Sequence, residues 1–257
     1  MTSSSSWDAR LRNSDVAWVK FDPIAYVDHN YRDIQAEDAE ILRIVGDHFA
    51  DHFRTTHTTG PVSGIDVGAG PNLCPALAML PWCEEITLLE YSSANVTYLE
   101  NQVRSYDANW DHFWDVLREH DAYSALELDP RERFRRAVEV KEGSIFDLAP
   151  DEGRWSLGTM FFVAESMTTS SQEFRLGVEC FVRALIPGAP FAAAFMEHSM
   201  GHYAGEHFFP ACGVGESEVH ASLETLADDL KVRRLVSSAC LREGHGGMIL
   251  ACGRRRQ

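Results

Sequence analysis

The chain has 257 residues, of which 45% are hydrophobic, and a formal net charge of −16 at pH 7. This length allows one large α/β domain or two small ones, and no stretch reaches the roughly 20 uninterrupted apolar residues that a membrane-spanning helix needs. Because nucleic-acid binding depends largely on basic side chains that neutralise phosphates, the negative charge favours a small-molecule or protein substrate.

The first 60 residues are expected to form a helical lid. Residues 1–8 lack the basic and apolar regions of a secretory signal, which predicts a cytoplasmic protein. Residues 8–57 have a helical pattern, with apolar positions between Ile41 and Phe53 at three- and four-residue spacing. Residues 21–31 hold more aromatic and acidic side chains than packing alone requires, so we expect this segment to cover a pocket.

From residue 64 onward, short apolar runs alternate with helical stretches. Strands are predicted at 64–67, 85–90, 138–142, 157–163, 191–196, 232–239 and 247–252. Helices are predicted at 72–80, 93–105, 171–186 and 216–230. This alternation is typical of a mostly parallel sheet with helices on both faces, and the last two strands predict a terminal antiparallel hairpin.

An insertion at about 106–137 separates the second helix of this pattern from the third strand. Trp110, Phe113, Trp114 and Leu117 recur in it at helical spacing, which predicts an amphipathic helix docked on the body. We find no linker, so we interpret residues 1–257 as a single domain, with a core at 61–257. The sequence leaves open whether the protein is a monomer or a homodimer.

The cysteines and histidines give no metal pattern. The six cysteines, at positions 74, 83, 180, 212, 240 and 252, show no C-x-x-C spacing, and most have apolar neighbours. Buried free thiols are therefore favoured over zinc ligands or disulfides. The eleven histidines also lack ligand spacing, so we expect no metal.

A glycine turn follows the first predicted strand. The run is Asp66-Val67-Gly68-Ala69-Gly70-Pro71, and the next strand ends on Glu90. Glycines at such a turn let a ligand approach the backbone, and a carboxylate at the tip of the next strand can accept hydrogen bonds from ribose hydroxyls. The third glycine of the dinucleotide fingerprint is missing, which weakens a pyrophosphate interpretation. The run resembles the first motif of class I S-adenosylmethionine-dependent methyltransferases.

Further motifs extend this resemblance over most of the chain. They are the segment 21–31, the glycine turn, Glu90-Tyr91-Ser92-Ser93-Ala94-Asn95, residues 183–188 and His202-Tyr203-Ala204-Gly205-Glu206. In this order they resemble the small-molecule methyltransferase family of nicotinamide N-methyltransferase, phenylethanolamine N-methyltransferase and thioether methyltransferase. The resemblance implies a Rossmann-like class I methyltransferase fold with a seven-stranded sheet, and S-adenosylmethionine as cofactor with S-adenosylhomocysteine as product.

The resemblance also implies a set of cofactor-binding residues. They are Tyr26 and Tyr31 over the methionine part, Asp66, Gly68, Ala69 and Gly70 at the turn, Glu90 on the ribose, Asn95, and Ser144 with Ile145 near adenine. The alternatives are that the tyrosines are core aromatics and that Asn95 is a surface residue. Two positions depart from the family: Cys74 replaces a tyrosine, and Ser144 stands where an acid usually meets the adenine amino group.

Carboxylates follow the fourth and fifth strands, where ligands bind in open α/β sheets. Glu165 and Glu197 are predicted to be catalytic and to hold an acceptor amine, because a carboxylate can orient an amine and accept its proton. His198 and His202 are the alternative bases, and His202 and Tyr203 are candidates for substrate binding. The alternative for Glu165 is a role at the start of the next helix.

These observations favour direct in-line methyl transfer to a small molecule, most simply at an amine or heterocyclic nitrogen and in secondary metabolism. Oxygen or sulfur acceptors are the close alternative. Cys74 and Ser144 favour a second alternative, an enzyme of natural-product biosynthesis that keeps the fold but no longer methylates, such as a cyclase. We expect neither a nucleic-acid nor a membrane partner.

Overall fold

The computed structural model describes residues 11–56, 60–236 and 246–257. The strands of its large sheet are β1 (Ser63–Val67), β2 (Glu85–Glu90), β3 (Val138–Glu142), β4 (Leu157–Phe161), β5 (Pro190–Glu197), β8 (Ala227–Leu235) and β9 (Gly247–Arg255). Two further strands, β6 (Gly201–Ala204) and β7 (His207–Pro210), form a separate hairpin. The helices are α1 (Pro23–Asn30), α2 (Ala36–Thr55), α3 (Cys74–Met79), α4 (Ser93–Arg104), α5 (Asn109–Leu117), α6 (Asp121–Ser124), α7 (Pro130–Ala137), α8 (Ser171–Ala184) and α9 (Glu216–Leu223).

The large sheet has the strand order β3-β2-β1-β4-β5-β9-β8. Strands β1 to β5 are parallel, and β9 pairs antiparallel with both β5 and β8. The order reverses at β1, which pairs with β2 on one side and β4 on the other. The predicted fold class is therefore confirmed: a mostly parallel seven-stranded sheet that ends in an antiparallel hairpin.

Apolar clusters cover both faces of the sheet. One face of β1 points Ile65 and Val67 into a cluster with Phe181 of α8. On the other face, Ile86 and Leu88 of β2 belong to a cluster that includes residues of α2, α3 and α5. This two-sided burial explains why the strands have nearly continuous apolar sequences.

The insertion packs through the predicted amphipathic helix. Trp110, Phe113, Trp114 and Leu117 of α5 are all buried, which confirms that prediction. The hydroxyl of Tyr123 on α6 donates to the Ala78 carbonyl of α3 at 2.8 Å. The insertion is thereby fixed against the same face of the sheet as the N-terminal helices.

The N-terminal segment forms two 3-10 turns, Asn13–Asp15 and Trp18–Lys20, followed by α1 and α2. Helix α1 begins where the Asp22 carboxylate accepts the Ala25 amide at 3.0 Å and Pro23 takes the first helical position. The helical prediction for 8–57 thus holds for α1 and α2, while residues 8–10 and 57 lie outside the described residues.

Two predictions of secondary structure were wrong in their extent. Helix α9 ends at Leu223 instead of 230, and β8 begins at Ala227. Strand β8 is irregular there, because its register with β9 shifts between Asp228 and Lys231 and Asp229 has a positive φ of 53°. This bulge hides the alternation by which the strand would be recognised. Residues 237–239 of the predicted strand 232–239 lie outside the described residues.

The β6–β7 hairpin was not predicted. Its two-residue turn contains Gly205 at φ 63°, and a glycine at such a turn is a known hairpin signal. Each strand is only four residues long and exposes an aromatic residue, so the alternation of apolar and polar residues that indicates a strand is weak.

Among the described residues, Cys74, Cys83, Cys180 and Cys252 are buried free thiols, as the sequence predicts; Cys212 is also buried, and Cys240 lies outside the described residues. Over the described ranges, no group of three or more His, Cys, Asp or Glu residues is placed to hold a metal ion. None of the helices described is both long and apolar enough to cross a bilayer.

Candidate active site

A cavity opens at the carboxyl ends of β1, β2 and β4, next to the point where the strand order reverses. It encloses about 740 Å³ of empty space including its mouth, a size within the range of small-molecule sites. Its lining combines the glycine turn, Glu90, aromatic residues of the N-terminal segment and His202 of the hairpin. Ligands of open α/β sheets bind at such a position.

The glycine turn brings bare backbone to the cavity wall. Gly68 and Ala69 both donate their amides to the Leu89 carbonyl, at 2.8 and 3.1 Å, which fixes the turn onto β2. Gly68 has φ 63°, and a β-carbon there would lie 2.4 Å from a methyl of Val163. Gly70 has φ 55°, but its β-carbon would meet nothing closer than 3.8 Å. The glycine at 68 is therefore required by protein packing, whereas the glycine at 70 leaves space open beside the cavity.

Glu90 is held rigidly at the tip of β2. Its two carboxylate oxygens accept the amides of Gly70 at 2.7 Å and Ser92 at 2.6 Å, and the Asn95 side chain lies 3.5 Å from one of them. Burial raises the pKa of Glu90, and the hydrogen bonds from Ser92 and Gly70 oppose that rise. The oxygen that accepts the Gly70 amide retains a further lone pair that can accept a hydrogen bond from a ligand.

Asp66 and Asn95 lie next to this carboxylate with unused hydrogen-bonding capacity. One oxygen of Asp66 accepts the Thr159 hydroxyl at 2.8 Å, and the other is buried without a partner among the described residues. Burial raises the pKa of Asp66 well above its usual range. Asp66 is buried and does not line the cavity, whereas Asn95 does, and its side-chain oxygen is also buried without a partner in the described part of the chain.

Aromatic residues of the N-terminal segment close one side of the cavity. Tyr26 and Tyr31 both line it, with ring centroids 6.1 Å apart. Tyr31 also contacts Trp110 of the insertion at 5.5 Å, and its carbonyl accepts the Asn109 side chain at 2.9 Å. The insertion therefore positions Tyr31.

The β6–β7 hairpin completes this aromatic wall. Phe209 stacks on Trp18 at 5.2 Å and on His202 at 5.6 Å, and the edge of His202 meets Tyr26 at 5.7 Å. The hydroxyl of Ser92, at the start of α4, donates to the Trp18 carbonyl at 2.9 Å. The N-terminal segment, the hairpin and the Glu90 region thus meet around one space.

The predicted adenine side lies at the end of β3. Gly143 and Ile145 line the cavity, and the Gly143 amide donates to the Glu90 carbonyl at 2.9 Å. Ser144 caps the 3-10 turn Ile145–Asp151, since its hydroxyl accepts the Phe146 amide at 3.3 Å. Its own amide donates to Asp147 at 2.8 Å. The Ser144 hydroxyl is therefore already engaged in a hydrogen bond with the backbone of this turn.

Glu165 lies behind the cavity wall. It is fully buried, and one carboxylate oxygen accepts the Met196 amide and the Ser166 hydroxyl, both at 3.1 Å. Ser166 itself lines the cavity. Glu165 is therefore separated from the cavity by one hydrogen-bonded residue, and it also joins β4 to β5.

Glu197, His198 and Tyr203 are not brought to this cavity, in contrast to their expected roles at the acceptor. Glu197 forms a two-oxygen ion pair with Arg234 of β8, at 2.6 and 2.8 Å, because antiparallel pairing places β8 and β9 beside the end of β5. His198 is exposed, with φ 55° and its amide bonded to the Val214 carbonyl at 2.8 Å. Tyr203 is 65% exposed and contacts Phe208.

Sequence reasoning missed several residues of the cavity wall. They are Asn13, Trp18, Phe161, Phe162 and Met167. Phe162 has a positive φ of 60°, which is uncommon for a bulky residue and marks a constrained strand end. The position of Phe162 at the carboxyl end of a predicted strand could have indicated a cavity residue. An apolar side chain at such a position, however, is equally typical of the hydrophobic core.

This set of residues fits S-adenosylmethionine. The fixed Glu90 carboxylate suits a ribose diol, the space beside Gly70 admits a ligand chain, and the unpartnered Asn95 oxygen can accept a hydrogen bond. Tyrosine rings at the wall are favourable neighbours for a sulfonium cation.

The family model for the NNMT/PNMT/TEMT family matches residues 11–254. The chain belongs to this family. A curated relative is bovine phenylethanolamine N-methyltransferase, 24% identical over 239 residues, which span 84% of this chain and 80% of the relative. As a member, the protein is an S-adenosylmethionine-dependent methyltransferase, which confirms the predicted enzyme class and cofactor.

Solved structures share the fold. N-methyltransferase NodS from Bradyrhizobium japonicum, in complex with S-adenosylhomocysteine, superposes with a TM-score of 0.54 at 10% identity, covering 93% of this chain and 95% of its own. The [4+2]-cyclase SpnF gives a TM-score of 0.52 at 14% identity, covering 85% and 80%. Because a cyclase has the same fold, the family match and not the fold carries the assignment of methyl transfer.

Proposed function

We propose that this methyltransferase transfers a methyl group to a nitrogen of a small molecule, an amine or a heterocycle. The observation that carries the proposal is the single cavity shared by the aromatic N-terminal segment, the glycine turn, Glu90 and His202. A cavity closed on one side by aromatic rings suits a small organic acceptor better than a polymer. The bovine relative and NodS are both named as N-methyltransferases, which supports nitrogen as the acceptor atom.

The side chains proposed to bind the donor are already held in position by hydrogen bonds and packing within the protein. S-adenosylmethionine, when bound, supplies an electrophilic methyl group on a sulfonium sulfur. Glu90 would accept hydrogen bonds from the ribose, and its two backbone donors hold the carboxylate in place before the ligand arrives. Tyr26 and Tyr31 would cover the sulfonium and the tail. Such preorganisation lowers the cost of ordering the site on binding.

The acceptor end is assigned to His202 and Ser166. A nitrogen acceptor must present an unprotonated lone pair, which forms the new C–N bond as the carbon–sulfur bond breaks, and its proton must then pass to a base or to water. His202 lines the cavity, and imidazole is the side chain that most often exchanges protons near neutral pH. Glu165 would act through Ser166, whose hydroxyl donates to it.

Glu197 and His198 are given no role in this proposal, because both side chains have other surroundings outside the cavity lining. Because Glu197 lies outside the cavity lining, it is not proposed to hold the acceptor amine, and the choice of nitrogen rests on the relatives and on His202. Secondary metabolism, cytoplasmic location and the monomeric or dimeric state stay predictions from the sequence.

Titration calorimetry with S-adenosylhomocysteine tests the donor assignment. Glu90→Gln keeps the shape of the side chain but replaces one acceptor oxygen with an amide group that faces a backbone donor. We expect it to lower donor affinity at least tenfold, since hydrogen bonds to charged groups contribute about 1.5–3 kcal/mol. Glu100→Gln, at an exposed position of α4, is the matched control. Unchanged affinity in Glu90→Gln would remove Glu90 from the site.

Acceptor screening with a methyl-labelled donor tests the nitrogen assignment. Matched sets of aromatic amines, heterocycles, phenols and thiols should show turnover mainly with nitrogen compounds. His202→Gln should lower kcat and change its pH profile without altering donor affinity. Turnover confined to phenols or thiols would refute nitrogen transfer, and conversion of a substrate without a gain of one methyl mass would favour the non-methylating alternative.

A further inference from the structure

A second and larger cavity lies away from the candidate active site. It is a groove between the second half of α2 and the last two strands of the large sheet, β8 and β9. The groove encloses about 1640 Å³ of empty space including open solvent. None of the described residues that line it also lines the main cavity. The groove is therefore a separate space, and neither the sequence motifs nor the proposed function uses it.

Helix α2 extends from the donor region to this groove. Its first turn carries Asp38, whose buried carboxylate accepts a hydrogen bond from the Gln35 backbone. Asp38 lines a small side cavity that shares Phe161 with the main cavity. Further along α2, His48 lies 3.2 Å from the Gly253 carbonyl of β9. Burial lowers the pKa of His48 to about 4, so the neutral ring donates this hydrogen bond and fixes α2 against β9.

Two cations on β8 face the floor of the groove. In the register of β8 and β9, Lys231 lies opposite Cys252, and the next pair on the same face joins Arg233 to Leu250. Cys252 and Leu250 are buried in the apolar cluster that includes α2. Because cross-strand neighbours share a face of the sheet, both cations lie on the face that α2 covers. Burial raises the pKa of Cys252 to about 12, and the nearby positive charges of Arg233 and Lys231 oppose that rise.

Each aspartate of the groove has a basic side chain beside it. The pairs are Arg54–Asp51, Arg254–Asp229 and, at 3.9 Å, His120–Asp47. In contrast, Lys231 and Arg233 are exposed and form no ion pair with any residue that the structure describes. Two residues apart on one strand, their Cα atoms are about 6.5 Å from each other, so both side chains can reach one anionic group.

The floor of the groove is apolar. Leu250 is 1% exposed and Cys252 is 4% exposed, and Ile44 of α2 is half-buried beside them. An anion with an apolar body can contact this floor while its charged group meets the cations. The net charge of −16 repels a strongly acidic macromolecule. A small anion interacts mainly with charges within a Debye length of about 8 Å, so the local cations favour a small ligand.

We propose that this groove binds a small organic anion with an apolar body, whose carboxylate, sulfonate or phosphate group is held by Lys231 and Arg233. The inference does not depend on the proposed function, because the groove is separate from the donor and acceptor positions. The alternative is that the two cations only protect an edge strand from pairing with another sheet, a common use of charged side chains. That alternative predicts no ligand.

Fluorescence titration with two matched probes tests the site. 1-Anilinonaphthalene-8-sulfonate is an apolar anion, N-phenyl-1-naphthylamine is its uncharged counterpart, and both fluoresce more strongly in apolar surroundings. Excess S-adenosylhomocysteine is present throughout, so that the donor position is filled. Lys231→Gln/Arg233→Gln should weaken the anionic probe about fivefold or more, since exposed ion pairs each contribute modestly, and should leave the neutral probe within twofold.

Two further double variants serve as controls. Lys141→Gln/Arg175→Gln also removes two exposed basic groups, one of them on β3 at the opposite edge of the sheet, and should leave both probes unchanged. Lys231→Arg/Arg233→Lys keeps both charges and should bind the anionic probe as the unmodified protein does. Retained S-adenosylhomocysteine binding shows that each variant is folded.

The outcomes separate the anion site from edge protection. The proposal is overturned if the unmodified protein does not bind the anionic probe, or if Lys231→Gln/Arg233→Gln binds it unchanged. An equal loss in the control Lys141→Gln/Arg175→Gln, or an equal loss for the neutral probe, would overturn it as well. Naphthalene-2-sulfonate should displace the anionic probe at concentrations at which inorganic sulfate does not, and equal displacement by sulfate would remove the apolar floor from the site.

Discussion

Replacing Asp38 by asparagine should stabilise the protein in the absence of ligand. Burial raises the pKa of this carboxyl from 3.8 to about 7, so the folded protein binds the proton more tightly than the unfolded chain does. Stability is therefore lost as the pH rises from about 4 to about 7, and at pH 8 the ionised group costs about 4 kcal/mol. Asparagine carries no charge and can still accept the hydrogen bond from Gln35.

Thermal unfolding of both proteins between pH 5 and pH 8 measures this cost. At pH 5 the linkage gives a gain of about 2 kcal/mol for Asp38→Asn, and at pH 8 about 4 kcal/mol. The difference in melting temperature should thus widen by about 5–10 °C across this range. Glu40→Gln, at an exposed position of the same helix, should show no comparable widening. A melting-temperature difference that is independent of pH, or a variant that is less stable at pH 8, would refute the argument.

Four further substitutions separate packing from ligand binding. Gly68→Ala should destabilise the protein by about 3 kcal/mol, because a buried clash adds to an unfavourable φ. Gly70→Ala should destabilise it by only about 1–2 kcal/mol but lower S-adenosylhomocysteine affinity more than tenfold. Equal stability losses in the two variants would contradict this expectation. Glu197→Gln should lower the melting temperature by a few degrees through the lost ion pair with Arg234 and leave donor affinity within twofold, and a large affinity loss would return Glu197 to the site. Phe209→Ala should cost about 3–5 kcal/mol by calorimetry or denaturation, since the ring is 2% exposed, and a loss below 1 kcal/mol would show that the hairpin does not hold the aromatic wall.

The donor side of the site was predictable because its signals are local. The signals are a buried strand, a turn with two glycines directly after it, and an acid about twenty residues later. Parallel pairing brings the ends of neighbouring strands to one edge of the sheet. In the structure Gly70 and Glu90 are joined by a 2.7 Å hydrogen bond, which that pattern anticipates. The family motifs added Tyr26 and Tyr31, whose pairing no periodicity would indicate.

The acceptor side was less predictable because it depends on distant pairings. Glu197 ends a strand beside the cavity, but its partner Arg234 is set by the antiparallel register of β8 and β9 and by a bulge in β8.

Asp38 has the pattern of an ordinary acid in the first turn of a helix. Only the packing of α2 against α3 shows that this acid is buried beside the donor cavity.

Three buried carboxyl groups lie in this region: Glu90 lines the main cavity, Asp38 lines the side cavity, and Asp66 is buried next to Glu90. Their proximity has a consequence for the order of ligand affinities. Burial raises the pKa of Asp38, Asp66 and Glu90, and no basic side chain other than His202 lines either the main or the side cavity within the described ranges. Burial disfavours the ionised form of these groups, so a ligand cation beside them stabilises that form in a low-dielectric pocket. S-adenosylmethionine carries one positive charge more than S-adenosylhomocysteine, because the sulfonium becomes a neutral thioether on transfer. The same carboxyl groups that destabilise the ligand-free protein therefore favour binding of the donor over retention of the product.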